Sequence, residues 1–293
     1  MRTRRIGAVE VSAIGLGAMP LSIEGRPGEA QAITTVHAAL DAGVTLIDTA
    51  DSYHWYAGEA GHNEQLIAKA LAGYGGDVLV ATKGGRGRPG DGSWTVDGTP
   101  ERLRQACEAS LRRLGVDAIG LYQLHKPDPR VPYTESLGAI RELVDAGKVR
   151  MAGVSNVDTE QLDQARKVLG DALVSVQNAY SPAVRDSAPV LHRCEELGLA
   201  FLPWSPLGGI SRSALDRDGP GTGPAYPAFS EVATGYGVSP QQVCLAWLLA
   251  DSPVTIPIPG SSRPQTIRDS AAAASLVLDA DSLARLDAAV TAA

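Results

Sequence analysis

Cysteine is scarce in this chain: Cys107, Cys194 and Cys244 are the only three in 293 residues. They are odd in number and far apart, and each sits among Ala, Leu or Glu residues at helical spacing. A disulfide framework and a cysteine metal set are both excluded, and no metal is expected. An excess of positive charge is also missing. Lys and Arg total 26 against 33 Asp and Glu, a net charge of −7, so nothing suits a phosphate backbone or an anionic bilayer. No apolar run is long enough to span a membrane, and the basic stretch Met1 to Glu10 is not followed by an apolar core with a small-residue cleavage site. A cytoplasmic protein without nucleic-acid or membrane partners is the expectation. The phosphate turn of a dinucleotide-binding open sheet is incomplete as well. Gly15-Leu16-Gly17-Ala18-Met19-Pro20 lacks the third glycine and runs into proline, which leaves an open doubly wound sheet as the runner-up architecture.

What is present is an alternation of short apolar runs and longer amphipathic segments, the pattern of parallel strands joined by helical crossovers. A hairpin-like stretch over Thr3 to Ser12 opens the chain. Strands are predicted over 13–17, 45–48, 78–82, 119–124, 149–154, 173–177, 200–204 and 254–258. Between them, apolar spacing of three and four predicts helices over 30–42, 64–72, 100–114, 133–146, 159–168, 187–197, 240–249 and 264–274. Eight of each is the count of a (β/α)8 TIM barrel, and 293 residues is near the usual length of about 250 plus insertions. One domain over residues 1–293 is therefore expected. Two βα connections are long and rich in Gly and Pro, Gly84 to Thr99 and Gly208 to Pro227. They read as walls of a substrate pocket, with plain surface insertion as the alternative.

Three successive strands end in ionisable residues: Asp48, Lys83 and His125. On a barrel those ends share one mouth. Tyr53 follows Asp48 by five positions, in the loop leaving the same strand. Singly each has a bland explanation, from loop stabilisation to a satisfied buried histidine. Together they suit carbonyl reduction. As hydride reaches carbon, charge develops on oxygen, which needs an acid and hydrogen-bond donors. A free tyrosine, with a pKa of about 10, is a poor acid near neutrality. Lys83 is expected to lower that pKa, with Asp48 holding the ammonium and a neutral His125 orienting the carbonyl.

The stretches Leu46 to Tyr53, Gly61-His62-Asn63-Glu64, Ala81-Thr82-Lys83, Leu121 to His125, Gly153-Val154-Ser155-Asn156 and Trp204-Ser205-Pro206-Leu207 resemble, in the same order, the aldo-keto reductases. The resemblance implies an α/β barrel that binds extended NADPH and a Tyr, Lys, His, Asp tetrad, here Tyr53, Lys83, His125 and Asp48. It further implies that Ser155, Asn156 and Gln177 contact the nicotinamide carboxamide. Trp204 would stack on the ring where many members have Tyr, and Ser205, Leu207 and Gly209 would lie over the pyrophosphate. Gly260, Ser261, Arg263 and Arg268 would form the adenosine-phosphate end, with Arg263 or Arg268 holding a 2′-phosphate. Many relatives carry Lys near Gly260 and a Glu-Asn pair where this chain has Asp269-Ser270. The function this implies is NADPH-dependent reduction of an aldehyde or ketone with Tyr53 as proton donor. A non-catalytic NADPH-binding regulatory barrel is the alternative, and a phosphate-binding isomerase is a third reading that leaves the Asp48 and Tyr53 spacing unexplained. Trp55, Tyr56 and Trp94 suggest apolar walls for an aromatic or heterocyclic carbonyl, with His54 and Glu59 as polar contacts. Oligomeric state leaves no mark in the sequence.

Overall fold

The computed structural model describes residues 1–211 and 226–291. The chain runs β1 (Thr3–Ile6), β2 (Val9–Ser12), β3 (Leu16–Gly17), α1 (Glu29–Asp41), β4 (Leu46–Asp48), α2 (His62–Leu71), β5 (Leu79–Gly84), β6 (Arg86–Gly87), β7 (Thr95–Val96), α3 (Pro100–Leu114), β8 (Ile119–Leu124) and α4 (Tyr133–Asp145). It continues through β9 (Val149–Ser155), α5 (Thr159–Leu169), β10 (Leu173–Gln177), α6 (Ala188–Leu197), β11 (Ala200–Phe201), α7 (Pro227–Tyr236), α8 (Pro240–Asp251), α9 (Pro264–Ala272) and α10 (Ala280–Thr291). Helix ends follow local chemistry. Asp158 and Gln161 form a reciprocal capping box on α5, and α3 opens with Pro100 and closes on the left-handed Gly115.

Seven parallel strands form one sheet in the order β11-β10-β9-β8-β5-β4-β3, the curled sheet of an α/β barrel. The predicted strand over 254–258 is not a regular strand. Pro257 and Pro259 lack the N–H that a ladder needs. Its remaining groups nevertheless reach both sheet edges. Ile256 N donates to Phe201 O at 2.8 Å and Ile258 N to Pro203 O at 3.1 Å, while the proline carbonyls accept from Gly15 N at 2.9 Å and Gly17 N at 3.0 Å. Close approach on the β3 side requires glycine: a Cβ on Gly17 would lie 2.7 Å from Ile258 O.

Inside the curl, Leu46, Leu79, Ala81, Leu121, Val174, Ala200, Leu202, Ile256 and Ile258 form one apolar cluster, joined by Ile6 and Val11 from β1 and β2. These two strands pair antiparallel from Thr3 opposite Ser12 to Ile6 opposite Val9. Gly7 at their turn abuts Val174 and Met151, near the starts of β10 and β9. The other end of the cluster is left for the site. Outside, the helices pack on the sheet through Val36, Leu66, Leu103, Leu137, Leu162, Leu191 and Leu245, all buried. Two helices, α7 and α10, lie outside the predicted set. The part of the Gly208 to Pro227 connection over 212–225 lies outside the described residues. Among the described residues, no helix is long and apolar enough to cross a membrane.

Candidate active site

Strand ends place the ionisable groups. Asp48 closes β4, Lys83 lies near the end of β5, and His125 follows β8 directly. The Lys83 ammonium is wholly buried and spends its three protons on Asp48 Oδ2 at 2.6 Å, Thr49 O at 2.9 Å and Tyr53 OH at 3.1 Å. An ammonium only donates, so the Tyr53 oxygen accepts and its own proton is left for the cavity. Asp48 uses its second oxygen to accept from Gln177 Nε2 at 2.8 Å and Gln123 Nε2 at 3.5 Å.

The pKa directions correct one expectation. Burial pushes the Tyr53 hydroxyl above its usual value, with Lys83 pulling it down and Asp48 opposing that pull. Lys83 therefore limits a rise and does not produce a net fall, because loss of water outweighs one neighbouring cation already paired with Asp48. Burial alone would lower Lys83, but Asp48 and Tyr53 together hold its ammonium above the ordinary range. His125 is driven well below its usual value by burial, Lys83 and Arg86, which keeps the imidazole neutral. Its Nδ1 lies 3.4 Å from Ser52 Oγ, and no described residue bonds Nε2. The ring stands edge-on to Tyr53, at 5.7 Å between centroids, and to Trp94 at 6.4 Å.

These groups open into a cavity of about 950 Å³ at the C-terminal ends of the strands. That is at the top of the range for small-molecule sites, about 300–1,000 Å³. Of the residues predicted from sequence, Asp48, Tyr53, His125, Ser155, Asn156, Gln177, Trp204, Ser205, Leu207, Gly260 and Arg263 line it. Lys83 lies buried behind Tyr53. Ser155 Oγ donates to Gln177 O at 2.7 Å, and Asn156 Nδ2 donates to His125 O and Ser155 Oγ, each at 3.0 Å. Gln177 Nε2 commits one of its two protons to Asp48, and Asn156 and Gln177 both line the cavity. Trp204 Nε1 is buried without a partner among the described residues.

Gly209, Ser261 and Arg268 are not on the cavity wall. Gly209 is small because a Cβ would meet the Tyr226 ring at 2.5 Å. Ser261 Oγ donates to Arg263 O at 3.0 Å, bracing the start of α9. Thr266, Asp269 and Ser270 line the cavity on one helical face, and Arg268 points off that face into solvent. Trp55 and Tyr56 are not lining residues. Tyr56 is 57% exposed beneath Arg26, and Trp55 lies under Arg88. Glu59 pairs with Arg26 and His54 Nδ1 meets Tyr56 O at 2.9 Å. Trp94 and Trp204 supply the aromatic wall. Sequence reasoning missed Arg86, Gln241, Gln265 and Thr266. The last two were findable from helical phase once Arg263 was chosen. Arg86 had no such signal, since the antiparallel pairing of β6 with β7, Arg86 opposite Val96, is what brings it to the wall.

Comparison with known proteins gives one consistent result. The family model for the aldo/keto reductase family matches residues 13–291. Pyridoxine 4-dehydrogenase of Escherichia coli is 34% identical over 296 residues, covering 97% of this chain and 97% of the relative. The structure of a glycerol dehydrogenase from Gluconobacter oxydans superposes with a TM-score of 0.85 at 29% identity, covering 99% of this chain and 95% of that one. An aldo-keto reductase from Klebsiella pneumoniae in complex with NADPH superposes with a TM-score of 0.78 at 28% identity, covering 98% and 94%.

Proposed function

The chain belongs to the aldo/keto reductase family, and from that premise we propose that it is an NADPH-dependent reductase of an aldehyde or ketone, with Tyr53 as the proton donor. We read the bridging segment 254–260 as the eighth stave of the barrel and the β1–β2 pair as its N-terminal hairpin. The observation that carries the catalytic reading is the Lys83 Nζ to Tyr53 OH hydrogen bond, which turns the phenol's proton toward the cavity.

The residues present fit the cofactor. Trp204 offers an aromatic face beside Asn156 and Gln177, whose oxygens accept from a carboxamide. At the far end Gly260, Arg263 and the first turn of α9 offer a small-residue gap, a guanidinium and helix-start amides, the donor set that suits phosphates. When bound, a reduced nicotinamide supplies a hydride to the carbonyl carbon. The protein does the rest. Tyr53 gives its proton to the carbonyl oxygen, and the Lys83 ammonium steadies the phenolate left behind. Asp48 holds Lys83 in position. Neutral His125 donates through Nε2 to the same oxygen and fixes its direction, and the buried setting strengthens both contacts. A raised hydroxyl pKa keeps Tyr53 protonated at neutral pH, the form an acid needs.

The test is loss of the reduced nicotinamide's near-ultraviolet absorbance with a panel of aromatic, heterocyclic and aliphatic carbonyls. Turnover of at least one carbonyl, faster with NADPH than with NADH, is the expected result. Tight NADPH binding with no turnover on any carbonyl would overturn the reading.

A further inference from the structure

Three cations surround the Tyr53 end of the cavity, and the protein neutralises two of them. Lys83 faces Asp48. Arg88 forms a two-pronged pair with Glu24, one arm at 2.7 Å, and also donates to His54 O at 3.2 Å. Arg86 has no carboxylate partner among the described residues. Its guanidinium lies 4.6 Å from the centroid of Trp94, and its Nε is buried without a hydrogen-bond partner. Arg86 lines the cavity together with Trp94, Tyr53 and His125. Trp94 packs edge-on at 6.4 Å from both Tyr53 and His125, so the guanidinium on the Trp94 face shares one wall of the cavity with the two groups that face the carbonyl. Its field adds to the lowering of His125 and weakly opposes the burial that raises Tyr53.

A half-buried cation without a counter-ion has lost solvation that a ring face only partly replaces. A guanidinium keeps its charge and presents a planar fork of donors, the complement of a carboxylate or phosphate. We propose that Arg86 selects carbonyl substrates that carry an anionic group, a carboxylate or a phosphate, on the side of the molecule that meets the Trp94 wall. The inference rests on the reductase reading and names the substrate class within it.

The test compares pairs that differ by an anionic group: 4-carboxybenzaldehyde with methyl 4-formylbenzoate, and 4-formylphenyl phosphate, which carries close to two charges, with 4-methoxybenzaldehyde. In the unaltered enzyme, kcat/KM favours the charged member by at least about tenfold, equivalent to about 1.4 kcal/mol, mainly through KM. Whichever pair shows the larger ratio identifies carboxylate or phosphate as the group recognised. In R86M that ratio falls toward one, and in R86K, which keeps the charge without the fork, it lies between. A readout independent of turnover is calorimetric binding of 4-(hydroxymethyl)benzoate against 4-(hydroxymethyl)benzamide without nucleotide. Arg86→Met should weaken the benzoate about tenfold or more and erase the difference. Equal use of both members by the unaltered enzyme overturns the inference and leaves the reductase reading intact. A charge preference that survives in R86M also overturns it. If no carbonyl is reduced at all, the reductase reading fails, and the binding comparison alone decides for or against Arg86.

Discussion

Replacing Lys83 by Met removes the ammonium and keeps most of the side chain's bulk, so the perturbation is electrostatic and leaves packing largely alone. The Lys83 side chain is 0% exposed and that of Asp48 4% exposed, 2.6 Å apart. Removing one partner of a buried pair strands the other, at a cost of about 3–5 kcal/mol. Gln177 and Gln123 still donate to Asp48, which favours the lower end. At about 2 °C per kcal/mol for a chain of this size, Tm should fall by about 6–10 °C. The double variant K83M/D48N carries no stranded charge and should recover most of that loss. Catalysis gives a second readout. Tyr53 is raised by burial, with Lys83 pulling against it, so loss of the cation raises it further. Alcohol oxidation needs the phenolate, and its rise with pH should therefore move to more alkaline pH in K83M. The assays are calorimetric melting of the single and double variants and the pH profile of oxidation. A K83M melting point within about 1 °C of the unaltered protein, with no gain from D48N, would refute the reasoning.

Two further outcomes test other parts of the account. Arg263→Ala should weaken NADPH by about one to two decades, from a charge-assisted bond of roughly 1.5–3 kcal/mol, and leave NADH nearly unchanged; Arg268→Ala, on the solvent side of α9, should change neither in the same fluorescence titration. Asp51 is buried with its carboxyl pushed up to about 7, by burial first and then by Glu64. The folded state thus holds a proton that the unfolded chain releases near pH 4, and the stability this proton confers is lost as pH rises from about 4 to 7. Urea unfolding of D51N should show a weaker pH dependence than the unaltered protein, by about 2–3 kcal/mol between pH 5 and 8, at about 1.36 kcal/mol per pKa unit.

Elements whose local pattern agrees with their packing were legible. The strands over 119–124 and 173–177 and the helix over 100–114 stand where hydrophobic spacing puts them. The strand expected over 200–204 stops at Phe201 and that over 254–258 is not regular, because prolines 203, 257 and 259 cannot donate to a ladder. Helix α10 escaped notice because it buries only Leu286 fully. Asp48, Lys83 and His125 were readable because a strand end fixes where a residue sits before any tertiary detail is known. Arg268 was not, since which face of α9 meets the cavity depends on packing. Gly209 and Ser261 serve a ring contact and a helix start, both set by partners distant from any local motif. Arg86 was invisible for the same kind of reason: the short β6–β7 pairing sets its direction, and two-residue strands leave no periodicity to read.

The central claim is that Tyr53 supplies the proton, and its most direct test is single-turnover transfer from bound NADPH to a carbonyl in Tyr53→Phe. The ring stays to fill the space beside Lys83 and Trp94, so NADPH affinity by fluorescence titration should stay within a few-fold. The single-turnover rate should fall by about a hundredfold to ten-thousandfold, the usual contribution of a positioned acid. A Tyr53→Phe variant that keeps more than about a tenth of the unaltered rate would contradict the account and make His125 the first candidate for the acid.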